Sequence, residues 1–152
     1  MGESYESGFA PENIIYTPKT IISFISSIVS GWNPERVLDP ACGSGTFFPR
    51  INELSTSKPK FIGVDISKKI IEKARKKLKD TDVDYEFFHT DFFKFKDSVS
   101  EKFDLIVTQP SFVQLQKSVD WKGFKVLDLE INFLMESLKL LKGKWSWSIH
   151  IT

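Results

Sequence analysis

Short apolar segments alternate with segments of helical periodicity along most of this 152-residue chain. Five of the apolar segments have the length and composition of β-strands. They span residues 36–39, 61–65, 85–91, 103–108 and 145–152. Because strands that alternate with helices form parallel sheets, this pattern predicts an α/β fold with a mostly parallel sheet and helices on both faces. The length suits a single domain.

Capping residues mark the predicted helices. Thr17 followed by Pro18 is typical of an N-cap and a first-turn proline, and it predicts a helix of about 12 residues that ends at Gly31. Further helices are predicted over residues 46–54, 67–78 and 127–142. In the second of these, Ser67 is the predicted cap. Its apolar face consists of Ile70, Ile71, Ala74 and Leu78.

Composition indicates a protein of the cytoplasm. Cys42 is the single cysteine, so no internal disulfide can form. The sequence has neither an apolar run of about 20 residues, as a membrane span requires, nor a signal-peptide pattern at its start. We expect residues 1–13 to be a flexible lead-in and residues 14–152 to form the folded domain. No Cys/His cluster has zinc spacing, so no metal site is expected.

Polar residues follow four of the predicted strands. They are Asp39, Asp65, Asp91 and Gln109. In parallel sheets wrapped by helices, ligands bind at the carboxyl ends of the strands, near the point where the strand order changes. These four residues are therefore the candidate site.

A glycine turn follows the first strand. Gly43 and Gly45 allow the backbone to pass close to a ligand at a helix N-terminus. Dinucleotide sites have a third glycine three residues later, where this chain has Phe48. Asp39 would also repel a pyrophosphate. The turn therefore suits a ligand with a positive amine and no phosphate.

The next two strand ends suit the remaining parts of a nucleoside. The Asp65 carboxylate can accept hydrogen bonds from both ribose hydroxyls. Asp91 can accept from the exocyclic amine of adenine, and Phe92 can stack on the ring. Amine, ribose and adenine together describe S-adenosylmethionine. The alternative is that each aspartate is a helix cap or a turn residue.

A series of motifs in fixed order carries a family resemblance. The motifs are YTP (16–18), VLDPACGSGTFF (37–48), FIGVD (61–65), TDFF (90–93) and FDLIVTQPSF (103–112). In this order they resemble the adenine-specific (N6) DNA methyltransferases of restriction-modification systems, which include type I modification subunits and combined restriction-methylation enzymes. The resemblance implies a Rossmann-like class I methyltransferase fold with S-adenosylmethionine as cofactor.

The resemblance also implies a role for individual residues. Thr17 and Asp39 would lie near the methionine end of the cofactor. The remaining cofactor-binding positions would be Ala41, Gly43 and Gly45 in the loop, Asp65 at the ribose, Asp91 and Phe92 at the adenine, and in addition Tyr16 and Ile66.

The fourth strand ends in Gln109-Pro110-Ser111-Phe112, where the family has Asn-Pro-Pro followed by Tyr or Phe. In the family, the Asn side-chain carbonyl and the next proline's carbonyl accept the two protons of the adenine amine, and the aromatic ring stacks on the flipped base. The resemblance thus implies that Gln109, Pro110 and Phe112 are catalytic. Gln109 has one more methylene than Asn, and Ser111 replaces the rigid second proline, so we expect weakened catalysis.

Parts of the family's domain have no counterpart in this sequence. The resemblance implies a final antiparallel strand pair and a separate DNA-recognition domain, and we expect this chain to lack both. DNA would then be bound with a recognition domain or subunit acting in trans. The fifth strand, with Trp145 and Trp147 on one face, would form an open edge that favours a partner chain or self-association.

Other functions stay open at this point. The chain could be an inactive cofactor-binding subunit that acts with a partner. It could also methylate protein glutamine, RNA or small molecules, because similar Asn-Pro-Pro-Tyr sites methylate glutamine side chains. A dinucleotide oxidoreductase is disfavoured by Phe48 and Asp39.

Overall fold

Within residues 18–109, 119–121, 124–126, 129–143 and 147–150, which the computed structural model describes, the chain forms five helices and seven strands. The helices are α1 (Lys19–Ser30), α2 (Phe47–Leu54), α3 (Lys68–Leu78), α4 (Phe92–Ser98) and α5 (Leu129–Leu138). The strands are β1 (Arg36–Asp39), β2 (Lys60–Asp65), β3 (Tyr85–His89), β4 (Leu105–Thr108), β5 (Val119–Trp121), β6 (Phe124–Val126) and β7 (Trp147–His150). The predicted lead-in over residues 1–13 lies outside the described residues.

Five strands form one sheet in the order β3-β2-β1-β4-β7. All four strand pairings in it are parallel, so the predicted sheet is confirmed. From β1 the chain continues through β2 to β3 in one direction, and then returns to place β4 on the other side of β1. The strand order therefore changes between β1 and β4. Asp39 and Thr108 end those two strands.

Helices cover both faces of the sheet, as predicted. Strand side chains alternate between the faces, so Val37 and Phe61 contribute to one core and Leu38 and Ile62 to the other. The first core also contains the buried side chains of α1, α2 and α3, among them Val29, Phe48, Ile51, Ile71 and Leu78. The second contains those of α4 and α5, including Phe92, Phe95 and Phe133.

Helix α3 forms as its sequence predicts. The Ser67 hydroxyl accepts a hydrogen bond from the Ile70 amide at 3.4 Å and caps the helix. Ile71, Ala74 and Leu78 are buried, and Ile70 is half-buried. Capping and apolar periodicity were therefore sufficient to locate this helix.

Helix α1 begins differently from the prediction. Pro18, rather than Thr17, occupies the N-cap position, with φ −58° and ψ 142° and no side-chain cap hydrogen bond. The extended ψ excludes Pro18 from the first turn. Thr17 lies outside the described residues. The predicted end at Gly31 is confirmed.

The prediction that the helix before the last strand extends to residue 142 was wrong. Helix α5 ends at Leu138, and the following residues pair instead with Phe103. The Phe103 amide donates to the Leu140 carbonyl at 2.9 Å, and the Lys142 amide donates to the Phe103 carbonyl at 3.0 Å. This bridge ends the helix early, at Leu138.

Two further differences concern strands. The third strand ends at His89 rather than at residue 91, because Asp91 caps α4. The antiparallel pair β5–β6 between β4 and α5 was not predicted, since neither of its strands exceeds three residues. In the described part of the chain, no helix is long and apolar enough to cross a membrane.

Candidate functional site

The loop after β1 is fixed to the end of β2 by backbone and side-chain hydrogen bonds. The Cys42 amide donates to the Val64 carbonyl at 2.9 Å. The Gly43 amide donates to Asp65 Oδ2 at 3.0 Å. Because β1 and β2 are parallel neighbours, these bonds hold the glycine turn against the carboxyl end of β2. The sequence predicted both parts of this site but not the bond between them.

The two glycines of the turn serve different purposes. Both have left-handed backbone, with φ +53° at Gly43 and +65° at Gly45. A Cβ at Gly45 would lie 3.1 Å from the Phe87 ring and 3.3 Å from Leu78, so this glycine is needed for packing. A Cβ at Gly43 would meet no atom of the described residues within 4 Å. Gly43 therefore leaves backbone open to a ligand.

Asp65 presents a well-ordered carboxylate at the same edge. Its Oδ1 accepts from the Ser67 amide at 2.8 Å, while Oδ2 accepts from the Gly43 amide. Each oxygen can accept a further hydrogen bond. Burial raises the pKa of Asp65, and the hydrogen bonds from Ser67 and Gly43 oppose that rise. The arrangement can accept two hydroxyl donors, as the predicted ribose role requires.

Asp39 is almost fully buried at the end of β1, with 2% of its surface exposed. Its Oδ1 accepts from the Ala41 amide at 3.2 Å. The pKa of Asp39 is raised to about 7, chiefly by burial and to a smaller extent by the charge of Asp65, against the lowering effect of the Ala41 amide and the Thr108 side chain. A cationic group beside this carboxyl would favour its ionised form.

Asp91 caps helix α4, as the alternative interpretation of the strand-end aspartates proposed. Its Oδ1 accepts from the amides of Phe93 and Lys94 at 2.9 and 3.2 Å. Both bonds use the same oxygen, so within the described residues Oδ2 stays available as an acceptor. Asp39 and Asp65 likewise accept from the amides of Ala41 and Ser67, two residues further on. Local capping and ligand binding are therefore compatible at these positions.

The two apolar candidates differ in exposure. The Phe92 ring is only 4% exposed and packs against Phe133, with centroids 4.5 Å apart. This geometry makes Phe92 a core residue and does not support its predicted stacking on adenine. Ile66, next to Asp65, is 48% exposed, and its carbonyl lies 3.1 Å from His89 Nε2. Ile66 thus presents an exposed apolar side chain next to Asp65.

The predicted catalytic strand end is described as far as Gln109, which follows β4 and is half-buried. The other predicted catalytic residues, Pro110 and Phe112, lie outside the described residues, as do Tyr16 and Thr17. Thr108, directly before Gln109, was missed by sequence reasoning. Its side chain is buried and its Oγ1 has no partner of standard hydrogen-bond geometry among the described residues. The sequence feature that could have pointed to Thr108 is a hydroxyl residue at the end of an apolar strand.

A protein-family model decides the assignment of the chain. The model is described as a methyltransferase domain, and it matches residues 33–141, which include β1 to β4 and all of the described strand-end residues. The chain belongs to this methyltransferase domain family. S-adenosylmethionine, the cofactor predicted from the strand ends, is the cofactor of such methyltransferases.

One curated relative is a type II methyltransferase by name. The type II methyltransferase M.CvrRI of Paramecium bursaria Chlorella virus XZ-6E is 28% identical over 99 residues. The match covers 65% of this chain and 24% of the relative. This methyltransferase domain thus spans about a quarter of the relative's length.

Solved structures confirm the predicted Rossmann-like class I fold. A protein assigned as the modification subunit of a type I restriction enzyme from Vibrio vulnificus YJ016 matches with a TM-score of 0.68 and 20% identity, over 94% of this chain and 33% of that one. A protein assigned as a class I S-adenosylmethionine-dependent methyltransferase from Listeria monocytogenes matches with a TM-score of 0.67 and 15% identity, over 83% and 43%. The S-adenosylhomocysteine-bound methyltransferase PaMTH1 of Podospora anserina matches with a TM-score of 0.53 and 19% identity, over 61% and 41%.

Proposed function

We propose that this methyltransferase domain binds S-adenosylmethionine at the carboxyl edge of its sheet and transfers the methyl group to the N6 amine of adenine in DNA, as part of a restriction-modification system. The observation that carries the proposal is the Gly43–Asp65 hydrogen bond of 3.0 Å, which joins the glycine turn of β1 to the carboxylate of β2. The bond orders a loop that is open at Gly43 beside a carboxylate with accepting capacity left.

Each end of the edge suits a different part of the cofactor. Asp39 would face the positively charged methionine end, and Asp65 would accept from the ribose hydroxyls. Ile66 would pack on the adenine ring and Asp91 Oδ2 would accept from its exocyclic amine.

The loop after β1 would line the cofactor between its methionine end and its ribose, through the backbone of Ala41, Gly43 and Gly45. Tyr16 and Thr17 would complete the methionine end. When bound, the cofactor supplies an activated methyl group on its sulfonium sulfur.

The residues after β4 would hold the target amine. The amide oxygen of Gln109 and the carbonyl of Pro110 would accept its two protons, which draws electron density towards the nitrogen. Phe112 would stack on the flipped base. The side chain of Gln109 is one methylene longer than that of Asn, and a misplacement of about 1 Å at such a site costs on the order of 100-fold in rate. We therefore expect slow methyl transfer.

Support for DNA as the substrate comes from the motif series together with the named relatives. M.CvrRI is a type II methyltransferase, and the structure from Vibrio vulnificus is a modification subunit. The chain spans only a fraction of each, and we propose that a further domain or subunit recognises the DNA sequence. The edge strand β7 is the proposed contact with a partner chain.

Methyl transfer from labelled S-adenosylmethionine tests the proposed activity. The wild-type chain and Gln109→Asn are each incubated with mixed-sequence duplex DNA and, in parallel, with RNA. We expect weak labelling of DNA adenine by the wild-type chain and labelling at least tenfold stronger by Gln109→Asn. Labelling of RNA but not DNA would contradict the proposed substrate.

A second candidate function is a cofactor-binding subunit that does not itself catalyse. Gln109 at the position of the catalytic Asn favours it. The two candidate functions share the cofactor site and differ in whether the wild-type chain transfers a methyl group to DNA. Cofactor binding without DNA labelling by the wild-type chain, together with clear labelling by Gln109→Asn, would support the second candidate over the first.

A further inference from the structure

His89 is the last residue of β3 and lies beside the end of β2. In the parallel pairing of these strands, His89 is the register partner of Asp65. The Thr90 amide donates to the Asp65 carbonyl at 3.1 Å, so the two main chains stay paired to the last residue of β2. Because side chains alternate between the faces of a sheet, register partners share a face. The exposed His89 side chain and the Asp65 carboxylate therefore lie on the same side of the sheet.

The His89 ring forms a hydrogen bond just beyond the end of β2. Its Nε2 lies 3.1 Å from the carbonyl oxygen of Ile66. A carbonyl can only accept, so Nε2 carries the hydrogen and donates it. Ile66 follows the last residue of β2 and is 48% exposed, so packing does little to fix this part of the main chain. The bond from His89 supplies a restraint that burial does not.

The peptide group between Ile66 and Ser67 is held at both of its ends. Its carbonyl accepts from His89, and its amide, which belongs to Ser67, donates to Asp65 Oδ1 at 2.8 Å. A peptide group is planar, so a bond that fixes the carbonyl also fixes the direction of the amide. A hydrogen bond to the carbonyl also polarises the amide and strengthens the bond that the amide donates. Two hydrogen bonds and one rigid peptide group thus connect the His89 ring to the Asp65 carboxylate.

We propose that His89 is a positioning residue that fixes the orientation of the Asp65 carboxylate through the Ile66–Ser67 peptide group. This inference rests on the proposed cofactor site, in which Asp65 accepts from the ribose hydroxyls. The Gly43 amide holds Oδ2 from the glycine turn, and the Ser67 amide holds Oδ1 from the connection to α3. A carboxylate held by both oxygens presents its remaining acceptor positions in fixed directions, and such a preorganised group binds a ligand more tightly. Without the His89 bond, the hold on Oδ1 becomes weaker.

Calorimetric titration with S-adenosylmethionine tests the contribution of His89. His89→Leu removes the donor, whereas His89→Gln keeps an N–H of similar reach. We expect His89→Leu to bind about fivefold more weakly than the wild-type chain, as the loss of one hydrogen bond implies, and His89→Gln to bind within about twofold of it. Glu86→Gln is the matched control, because Glu86 lies on the same strand, has a half-exposed side chain and pairs with Lys60. Unchanged affinity of His89→Leu, or equal weakening by both His89 variants, would overturn the proposal.

The same substitution in two further backgrounds identifies the group through which His89 acts. In Asp65→Ala no carboxylate is left to position, so we expect His89→Leu to weaken binding by less than about twofold. In Ile66→Ala the peptide group is kept, so the full effect of about fivefold is expected. An undiminished effect in Asp65→Ala would overturn the proposed connection to the carboxylate. Loss of the effect in Ile66→Ala would do the same, because His89 would then act through the Ile66 side chain.

Amide hydrogen exchange separates failure of this inference from failure of the proposed function, because it needs no cofactor. Exchange at the Ser67 amide is followed by NMR in the wild-type chain, His89→Leu and His89→Gln. We expect it to be about fivefold faster in His89→Leu and unchanged in His89→Gln. The Phe61 amide, which donates to the Asp84 carbonyl near the start of β2, should exchange equally in all three proteins. Unchanged exchange at Ser67 in His89→Leu would overturn the role of His89. Faster exchange there, in a wild-type chain that does not bind S-adenosylmethionine, would support the link from His89 to Asp65 and contradict the proposed function instead.

Discussion

The ends of β1 and β2 differ from the end of β4 in how closely they follow the pattern of adenine-specific DNA methyltransferases. At β1 and β2 the sequence keeps the glycine turn and both aspartates, and the structure joins them through the Gly43–Asp65 bond. At β4 the sequence has Gln109 in place of Asn and Ser111 in place of proline. In the proposed function, cofactor binding and methyl transfer depend on different parts of this edge, so that one could be lost while the other is kept.

The largest expected effect is on the free energy of unfolding and comes from Asp39, the buried carboxyl at the end of β1. Its pKa of about 7 in the folded chain lies above the ordinary value of 3.8, so the folded state holds a proton that the unfolded state loses. Stability from this group is therefore greatest below pH 4, falls between pH 4 and 7, and is constant above. The full change is on the order of 4 kcal/mol.

Asp39→Asn removes that titration. We expect the unfolding free energy of the variant not to fall between pH 4 and 7, and the variant to be more stable than the wild-type chain at pH 8. Chemical unfolding across the pH range measures both. The matched control is Asp82→Asn, at a side chain that is 78% exposed and pairs only loosely with Lys58 at 3.7 Å. An Asp39→Asn profile parallel to that of the wild-type chain would show that the carboxyl is ionised throughout.

Asp65→Asn tests the other half of the cofactor edge. The amide replaces a carboxylate that accepts from Gly43 and Ser67, so the loop loses a charge-assisted anchor and the ribose loses an acceptor. We expect affinity for S-adenosylmethionine to fall about 100-fold in calorimetric titration. Asp82→Asn again serves as the control and should bind like the wild-type chain. Unchanged affinity of Asp65→Asn would remove this residue from the site.

Substitution of the two glycines of the turn should have smaller effects, mainly on stability at Gly45 and mainly on cofactor binding at Gly43. Gly45→Ala should lower the unfolding free energy by about 2–3 kcal/mol, since its Cβ would lie 3.1 Å from Phe87 in addition to the left-handed backbone. Gly43→Ala should lower it by only about 1 kcal/mol, because the space there is open. It should instead weaken cofactor binding, since the new methyl group would enter the ligand's space.

Gly31→Ala is the matched control for both glycine variants. Gly31 has φ −72°, and no atom in the part of the chain that the structure describes lies within 4 Å of a Cβ built there. We expect no loss of stability there and up to about 0.5 kcal/mol of gain. If Gly43→Ala instead matched Gly45→Ala in stability and bound cofactor normally, the turn would be a packing element alone.

Much of the fold followed from local features of the sequence. Ser67 and the apolar spacing after it located α3, and the apolar runs located the five strands of the sheet. The errors came from contacts between residues far apart in the chain. Helix α5 stops early because residues 140 to 142 pair with Phe103, almost 40 positions earlier. Periodicity within the segment carries no information about that bridge.

The site was predictable in its residue types but not in its bonds. The strand-end rule selected Asp39, Asp65 and Asp91, and the structure brings the first two to one edge around the glycine turn. The rule could not show that Phe92 packs on Phe133 from α5, because that contact depends on how two distant helices meet. The burial of Asp39 beside Thr108 likewise depends on the pairing of β1 with β4.

Calorimetric titration of the wild-type chain with S-adenosylmethionine and, in parallel, with NAD tests the central claim most directly. If the carboxylates of β1 and β2 form a cofactor site for a sulfonium nucleoside, S-adenosylmethionine will bind saturably at one site per chain and NAD will not bind. Saturable binding of NAD, or no binding of either compound by a folded chain, would contradict the account.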